Sequence, residues 1–528
     1  MRANQPLSQS LVLVVLLAAV AADPGCVPTD EGACAGVQFP TAAAGRALRV
    51  SASCGTASGD GSGNSAFVTI GAALAAAQAG DTVVVAAGNY GESLNIKPGV
   101  HLIGVGRAAV IVEPANATGI VVSGAGATRI EGLTIKGAKG FGIGVVGAEV
   151  GLKNVRVEGT GANAKNPGNG ISAEGAKSLS LDGCQVVDSV GVGVAVKGSG
   201  PVSIIDPLFL KNPQGAARNG TTVGIIDPLF LPQSQITGNK SGGVAIIDPL
   251  FSPGSDAAAP NLTLSATDIA RNGKFGVALY GASAAITRSA IRDTAINGGD
   301  AAEGVLVAPR SVAATSAAVP VVTIDKATVV TNCARAGILV AAAANVQVAA
   351  EVSLSGRGGI WAQGSATKVT VSAEAHLAQN KMVGIVVTGS ATLDFNGGRV
   401  SDTKPKQWAN PAGGPVTELA DGIGVFGLAR GSIKGAVLKG NPRAGIIGNN
   451  CAATSDGLPD LRVEATTISG SKYGVVVHGS YGKAGTNAAA SAAPADKGNS
   501  YDVATESSSD DLPVADSLCD DGKKDCTP

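Results

Sequence analysis

Large rings are rare in this 528-residue sequence. Aromatic residues make up 3%, with two Trp, five Tyr and nine Phe. That sparsity excludes an extended aromatic platform. Charge is also scarce, at 15%, and almost balanced, with 39 basic residues against 40 acidic. No imbalance points to nucleic acid or to an anionic membrane surface, so no nucleic-acid partner is expected. There are three His (His101, His376 and His478), and none stands beside an Asp-Pro pair. Eight Cys show no CxxC spacing, which removes the usual zinc arrangement. Glycine-rich runs such as "GDGSGNSAFVTIG" lack the Lys of a phosphate-binding loop.

Glycine, in contrast, is abundant, at 75 residues. Val and Ile recur in short runs separated by Gly, Asn and Ser, a pattern of many short strands and tight turns. One signal repeats: Gly, then Val or Ile, then alternating apolar residues. It occurs at Gly119, Gly142, Gly193, Gly243, Gly276, Gly304, Gly337, Gly384, Gly445 and Gly474. An Asn often stands four or five residues ahead, at Asn219, Asn239, Asn272, Asn332, Asn380 and Asn441. Irregular spacing means a repeat whose loops vary in length. Each unit is too short to bury an apolar face alone, so it must stack on its neighbours. Strands that recur once per coil in one direction form parallel sheets, ~4.8 Å apart. The Asn suits a turn with positive φ and an amide bond to the next coil, and the Gly permits the sharp corner.

The two ends differ from this middle. Arg2, the apolar run from Leu11 to Ala22 and the small-residue site Ala19-Val20-Ala21 read as a signal peptide over residues 1–22. Secretion is expected, with an outer-membrane lipoprotein anchored at Cys26 as the alternative. No second apolar run has transmembrane length, so the mature chain is expected to lack a transmembrane span. Residues 23–45 form a Cys-containing linker. Residues 485–528 are rich in Ala, Ser and Asp and read as a flexible acidic tail, or as a plug on the last coil. Cys519 and Cys526 bracket "DDGKKD" and are expected to close a small loop. Cys26 with Cys34, or Cys34 with Cys54, would close an N-terminal one. Cys184, Cys333 and Cys451 read as small buried apolar residues.

The stretch "RALRVSASCGTASGDGSGNSAFVTIGAALAAAQAGDTVVVAAGNYGESLNIKPGVHLIGVG", residues 46–106, gives the pattern a family. It resembles the opening of right-handed parallel β-helix proteins of the pectate-lyase-like superfamily. The resemblance covers roughly residues 46–480. It implies an all-β solenoid over 46–484 with a short capping helix near Ile70–Ala79. It says little of activity, because unrelated functions share the scaffold.

Three copies of one motif stand out: "VSIIDPLF", "VGIIDPLF" and "VAIIDPLF". Their aspartates, Asp206, Asp227 and Asp248, are 21 residues apart. If 21 residues make one coil, the three carboxylates stack ~4.8 Å apart and repel by roughly 3.5 kcal/mol at an effective dielectric of 20. One reading is structural. Asp-Pro ends a strand and turns the chain, and Phe209, Phe230 and Phe251 stack in the core. The other is a Ca²⁺ site, since carboxylates of adjacent coils supply oxygen ligands. Enzymes resembling pectate lyase neutralise an acidic sugar in this way. Alginate epimerases carry a Tyr-Gly-x-Asp-Pro-His run. Here Gly224, Asp227 and Pro228 remain, no Tyr precedes them, and Leu229 replaces the His. Apart from that metal no cofactor is expected.

The longest polar excursion between coils is "SDTKPKQWANPAGGPVTELADG", residues 401–422. It is the candidate ligand-binding edge, with Asp402, Lys404, Lys406 and Trp408. Trp361 and Trp408, with Tyr280 and Tyr473, are the available rings for stacking on sugar. The expected role is non-catalytic: a secreted or cell-surface β-helix that presents a flat face to a polysaccharide or cell-surface glycan. The alternative is a polysaccharide lyase, epimerase or glycoside hydrolase using calcium on the Asp file. The two are separated by whether Arg, Lys or His falls beside the Asp file or the 401–422 loop once the coils stack.

Overall fold

The structure, a computed structural model, describes residues 34–43, 45–115, 117–198, 200–205, 234–247, 261–296, 301–308, 319–341, 343–408, 417–449, 451–452, 460–478 and 503–504. Within them the chain winds repeatedly through three parallel sheets. Sheet I holds 15 described strands, from Ala47–Val50 to Leu461–Glu464. Sheet II holds 14, all of three residues, from Gly88–Tyr90 to Thr467–Ser469. Sheet III holds 15 parallel strands, from Leu94–Ile96 to Val503–Ala504, and one antiparallel strand off that path, Lys406–Trp408. Each turn visits I, II and III in order, as in Ala127–Glu131, Thr134–Lys136 and Phe141–Val146. This is the expected solenoid. One short pairing, Val475 with Val503 and Val476 with Ala504, lies in the tail expected to stand apart from it.

The core follows from period-two alternation. Ile143, Ile171, Val194, Val244, Val277, Val305, Ile338, Ile360, Ile385, Ile423 and Ile446 occupy one inward file of sheet III. Each is essentially inaccessible to solvent. β-Branched side chains suit this place, because their stiff χ1 matches a pleated surface at little entropic cost. Burying each contributes roughly 1.5–3 kcal/mol.

The first coil is covered by the helix Ile70–Ala76. Thr69 caps it, accepting from the Ala72 amide at 3.2 Å, and the Glu92 carboxylate accepts from the Ile70 and Gly71 amides at 2.7 and 2.8 Å. Ile70, Ala73 and Leu74 are its buried face. It is shorter than the expected Ile70–Ala79. Ala77 is already extended, and the Asp81 carboxylate takes the Gln78 amide. Cys34 is bonded to Cys54, which decides between the two N-terminal pairings. Cys184, Cys333 and Cys451 are free and buried, as expected, and burial pushes each thiol up to about 12.

The repeated glycines form a continuous file where sheet III begins. The file also takes in Gly170, Gly359 and Gly422. A Cβ on any of Gly119 to Gly445 in this file would stand 2.1–2.8 Å from the carbonyl oxygen of the next glycine. None of these glycines has positive φ. Glycine is required here by close approach of backbone, not by the conformation of the corner. The left-handed residue is found at the end of sheet II instead, at Arg271, Asp293, Asn332, Gln379 and Asp402 among others.

The Asn assignment needs a similar correction. Asn239, Asn272, Asn380 and Asn441 do not have positive φ; each follows the residue that does. They point inward and are buried. Their amides relay between coils. Asn272 Oδ1 accepts from the Asn239 amide at 3.0 Å and from Asn239 Nδ2 at 2.9 Å, while its own Nδ2 donates to Ile236 O at 2.8 Å. Asn380 repeats this with the Ser355 amide and Val352 O. Asn332 is the exception: it is itself the left-handed residue, and Cys333 takes the buried place. Asn219 lies outside the described residues.

Asp206, Asp227 and Asp248 also lie outside them. The strands leading into the first and third are described, and they belong to different sheets. Val202–Ile205 is in sheet I, in register with Leu179–Asp182 and with Leu262–Ser265. Gly242–Ile247 is in sheet III, in register with Val192–Lys197. The 21-residue spacing is therefore not one coil here, and the segments before Asp206 and Asp248 hold no equivalent positions.

Two substitutions test this core. Gly304→Ala forces a methyl against Val330, Gly337 O and Cys333 Sγ, with an expected loss of about 1–3 kcal/mol by denaturant unfolding. Asn272→Ala strands the buried Asn239 amide and Ile236 carbonyl, for an expected loss on the order of 3 kcal/mol.

Candidate functional site

Within the 401–422 excursion, residues 401–408 and 417–422 are described, and they include strand structure. Ser401 ends a sheet II strand, Asp402 makes the left-handed turn, and Thr403 enters the buried file, donating to Asn441 Oδ1 at 2.6 Å. Lys406–Trp408 then pairs antiparallel with the start of Thr417–Phe426, Lys406 opposite Leu419. The chain thus leaves the solenoid at the corner between sheets II and III as a two-stranded arm.

Side chains from five coils gather at the base of this arm. Arg335 and Arg357 lie in register, the Arg357 amide donating to Arg335 O at 3.0 Å. Lys381 bridges to Lys404 in the next coil. Lys406 Nζ reaches back to donate to Gly356 O at 2.8 Å. Burial lowers the Lys406 ammonium from its ordinary value, and the nearby charges of Arg357, Lys381 and Arg335 lower it further. Four cations therefore share one region of the surface, with Arg335 and Arg357 half-buried and Lys381 and Lys406 exposed. Its acidic member is Glu303, only 2% exposed. Glu303 Oε2 accepts from the Ala302 amide at 2.9 Å, and Oε1 lies 3.6 Å from Arg335 Nε. Burial raises its carboxyl, against the opposing pull of Arg335 and Arg357.

Trp361 lies beneath this group on the outward face of sheet III, with the Arg357 guanidinium 5.0 Å from its ring centre. The ring is only 6% exposed, packed with Val383, Val386 and Phe426. Tyr473 packs against the same patch, whereas Tyr280 belongs to a separate one with Phe275 and Ala278. Trp361 and Tyr473 therefore share one patch and Tyr280 lies on another, so these three rings form no single stacking platform. Further along the edge, Arg443 holds the buried Asp421 through both carboxylate oxygens.

Of the residues read from sequence, Lys404 and Lys406 fall in or beside the cluster. Asp402 is exposed at its turn, and for Trp408 only the strand position is described. Cys26, Cys519 and Cys526 lie outside the described residues. Among the described residues, no group of three or more His, Cys, Asp or Glu is placed to hold a metal ion. Sequence reasoning missed Arg335, Arg357, Lys381 and Glu303. A usable signal exists: Lys274, Arg335, Arg357, Arg443 and Lys472 each stand two residues before a glycine of the file.

The raised Glu303 carboxyl has a definite pH consequence. The folded chain holds this proton more tightly than the unfolded one. The stabilisation is complete below the unfolded value, near 4.5, and is lost as pH rises through the higher folded value. Unfolding free energies measured between pH 4 and 8 should fall more with rising pH in the native sequence than in Glu303→Gln. The difference between the two curves isolates this group from the other carboxylates.

Residues 108–249 match the family model described as right handed beta helix region. Among solved structures, the chain is similar to the A-module of mannuronan C-5 epimerase AlgE4 from Azotobacter vinelandii. The two are 14% identical over 78% of this chain and 92% of that one, with TM-score 0.37. It is similar to pectate lyase Pel9A at 13% identity over 72% and 82%, TM-score 0.34. It is also similar to the catalytic unit of a GH87 alpha-1,3-glucanase from Streptomyces thermodiastaticus at 14% identity over 82% and 70%, TM-score 0.35. Likeness at these identities concerns the fold alone. No curated protein matches the chain. Among the described residues, no helix is long and apolar enough to cross a membrane. Three stacked parallel sheets wound through one core, with the family match over residues 108–249, make this chain a right-handed parallel β-helix protein.

Proposed function

We propose that the chain is an exported β-helix protein that binds an anionic polysaccharide or cell-surface glycan at the corner between sheets II and III, without cleaving its sugar chain. The observation that carries this is the convergence of Arg335, Arg357, Lys381 and Lys406, with Lys406 folded back onto Gly356 O among like charges that lower its ammonium. Such a group of like charges is relieved by an incoming anion. The arm that brings Lys406 there supplies an edge against which a linear chain can lie. Export is supported by the Cys34–Cys54 disulfide, which persists in oxidising surroundings.

Arg335, Arg357 and Lys381 do fall beside the 401–422 loop, the feature expected from the sequence for an enzyme. A binding role is favoured over glycoside hydrolysis by the carboxylates in place. Hydrolysis needs two carboxyl groups about 5–10 Å apart with distinct roles. At this corner Glu303 is buried beside Arg335, and Asp421 is engaged by Arg443. The calcium-assisted alternative loses its premise of equivalent coil positions, since the strands before Asp206 and Asp248 lie in different sheets.

The test is affinity electrophoresis of the purified protein through gels containing polyuronate, sulfated or neutral polysaccharide. Retardation is expected on the anionic gels, weakening with added salt. Arg357→Ala combined with Lys406→Ala should weaken binding roughly tenfold or more, as loss of two charge-assisted contacts implies. Equal retardation on neutral gels, or unchanged binding by the double variant, would contradict the proposal.

A further inference from the structure

On the outward face of sheet II, just before the arm departs, a serine, a histidine and a glutamate fall on three consecutive strands. Glu351–Ser353, His376–Ala378 and Arg399–Ser401 stack so that Glu351, His376 and Arg399 share one file, and Ser353, Ala378 and Ser401 another. His376 Nε2 lies 3.1 Å from Ser401 Oγ. Glu351 is directly across the sheet from His376 and is itself held: its Oε1 accepts from Ser353 Oγ at 3.2 Å, and Ser353 Oγ lies 2.9 Å from Thr331 Oγ1. Ser401 is recessed, 6% exposed, yet it faces away from the core because its neighbour Val400 points inward. Two cations flank it: Arg399 two residues earlier on the same strand, and Lys439 opposite it in the next coil.

We propose that Ser401 is a nucleophile with His376 as its general base and Glu351 as the carboxylate that steadies the imidazolium, and that the group hydrolyses small O-acyl esters such as sugar acetates. The parts correspond to what acyl transfer requires: a nucleophile and base within hydrogen-bond reach, and a carboxylate near the base. Burial lowers His376 from its ordinary value, which leaves the imidazole neutral and able to accept a proton near neutral pH. Glu351 and Asp402 act on it in the opposite sense, and Arg399 in the same one.

In the first step, Ser401 Oγ bonds to the acyl carbon while His376 Nε2 takes the hydroxyl proton. The tetrahedral oxygen carries the negative charge, and Arg399 and Lys439, at neighbouring register positions, are the cations available to offset it. The bond from the acyl carbon to the alcohol oxygen then breaks, and His376 returns the proton to the leaving alcohol. Water repeats the sequence on the acyl-serine and releases the carboxylic acid. Small esters need no oxidant or cofactor for this. The site is separate from the basic corner, and the inference does not depend on glycan binding there. The 402–408 segment joins the two, so an ester on a bound sugar chain would lie within the same region.

The test treats the full-length protein with a fluorophosphonate probe and maps the adduct by peptide mass, alongside turnover of p-nitrophenyl acetate. An adduct on Ser401 is expected, absent in Ser401→Ala. His376→Gln should slow both labelling and turnover roughly 10²-fold or more, and Glu351→Gln should slow them less, with melting temperatures close to the native one. A purely structural Ser–His contact would affect melting and leave no adduct to lose. Native folded protein with no adduct on Ser401 overturns the proposal, whatever the variants do. Equal labelling rates in His376→Gln and native protein overturn it as well.

Discussion

The structure depends on how closely the backbone approaches itself where sheet III begins. Each coil places a glycine so near the carbonyl of the next that no side chain fits between. Near-contact on that scale leaves little freedom of register: a one-residue slip would bring a Val or Ile into the same gap and reverse the faces of the strand. The buried polar file beside it acts with the glycines. Asn239, Asn272, Asn380 and Asn441 satisfy amides and carbonyls that the corner takes out of the ladders. Unpaired groups at that depth would cost about 1–3 kcal/mol each. Sterics select the glycine, and hydrogen bonding selects the asparagine four residues earlier at the same corner.

A corner held this rigidly positions whatever stands outside it. Residues two places ahead of each glycine emerge in a column, and in several coils that residue is Arg or Lys. Regular stacking concentrates like charge in a chain that is almost neutral overall. Arg335 and Arg357 sit one coil apart, and the arm folds Lys406 back against them. Glu303 and the ring of Trp361 partly offset this charge, the first by Coulomb attraction and the second by a cation–π contact. What distinguishes the corner is local charge density held on a stiff frame, which total composition does not reveal.

The glycine file was largely legible in the sequence, because an apolar run follows most of its members. Gly170, Gly359 and Gly422 also belong to the file; Gly422 opens the same Gly-Ile-Gly-Val run as Gly142, so its signal was present in the sequence and overlooked. The Asp-Pro motif misled for a different reason. Inward positions of sheets I and III both demand Val or Ile, so "SII" and "AII" read alike although one lies in each sheet. Lys404 and Lys406 were visible as part of a polar excursion. Arg335, Arg357 and Lys381 were not, because variable loop lengths hide which residues of successive coils align. The pairing of Ser401 with His376 was hidden in the same way, since the two residues sit 25 positions apart in adjacent strands.

Hydrogen exchange followed by mass spectrometry, with and without a saturating anionic oligosaccharide, tests the central claim most directly. The account predicts that added protection concentrates in residues 335–361 and 381–408, while the sheet I face stays unchanged. Protection spread over sheet I, or none at any residue under saturating ligand, would contradict it.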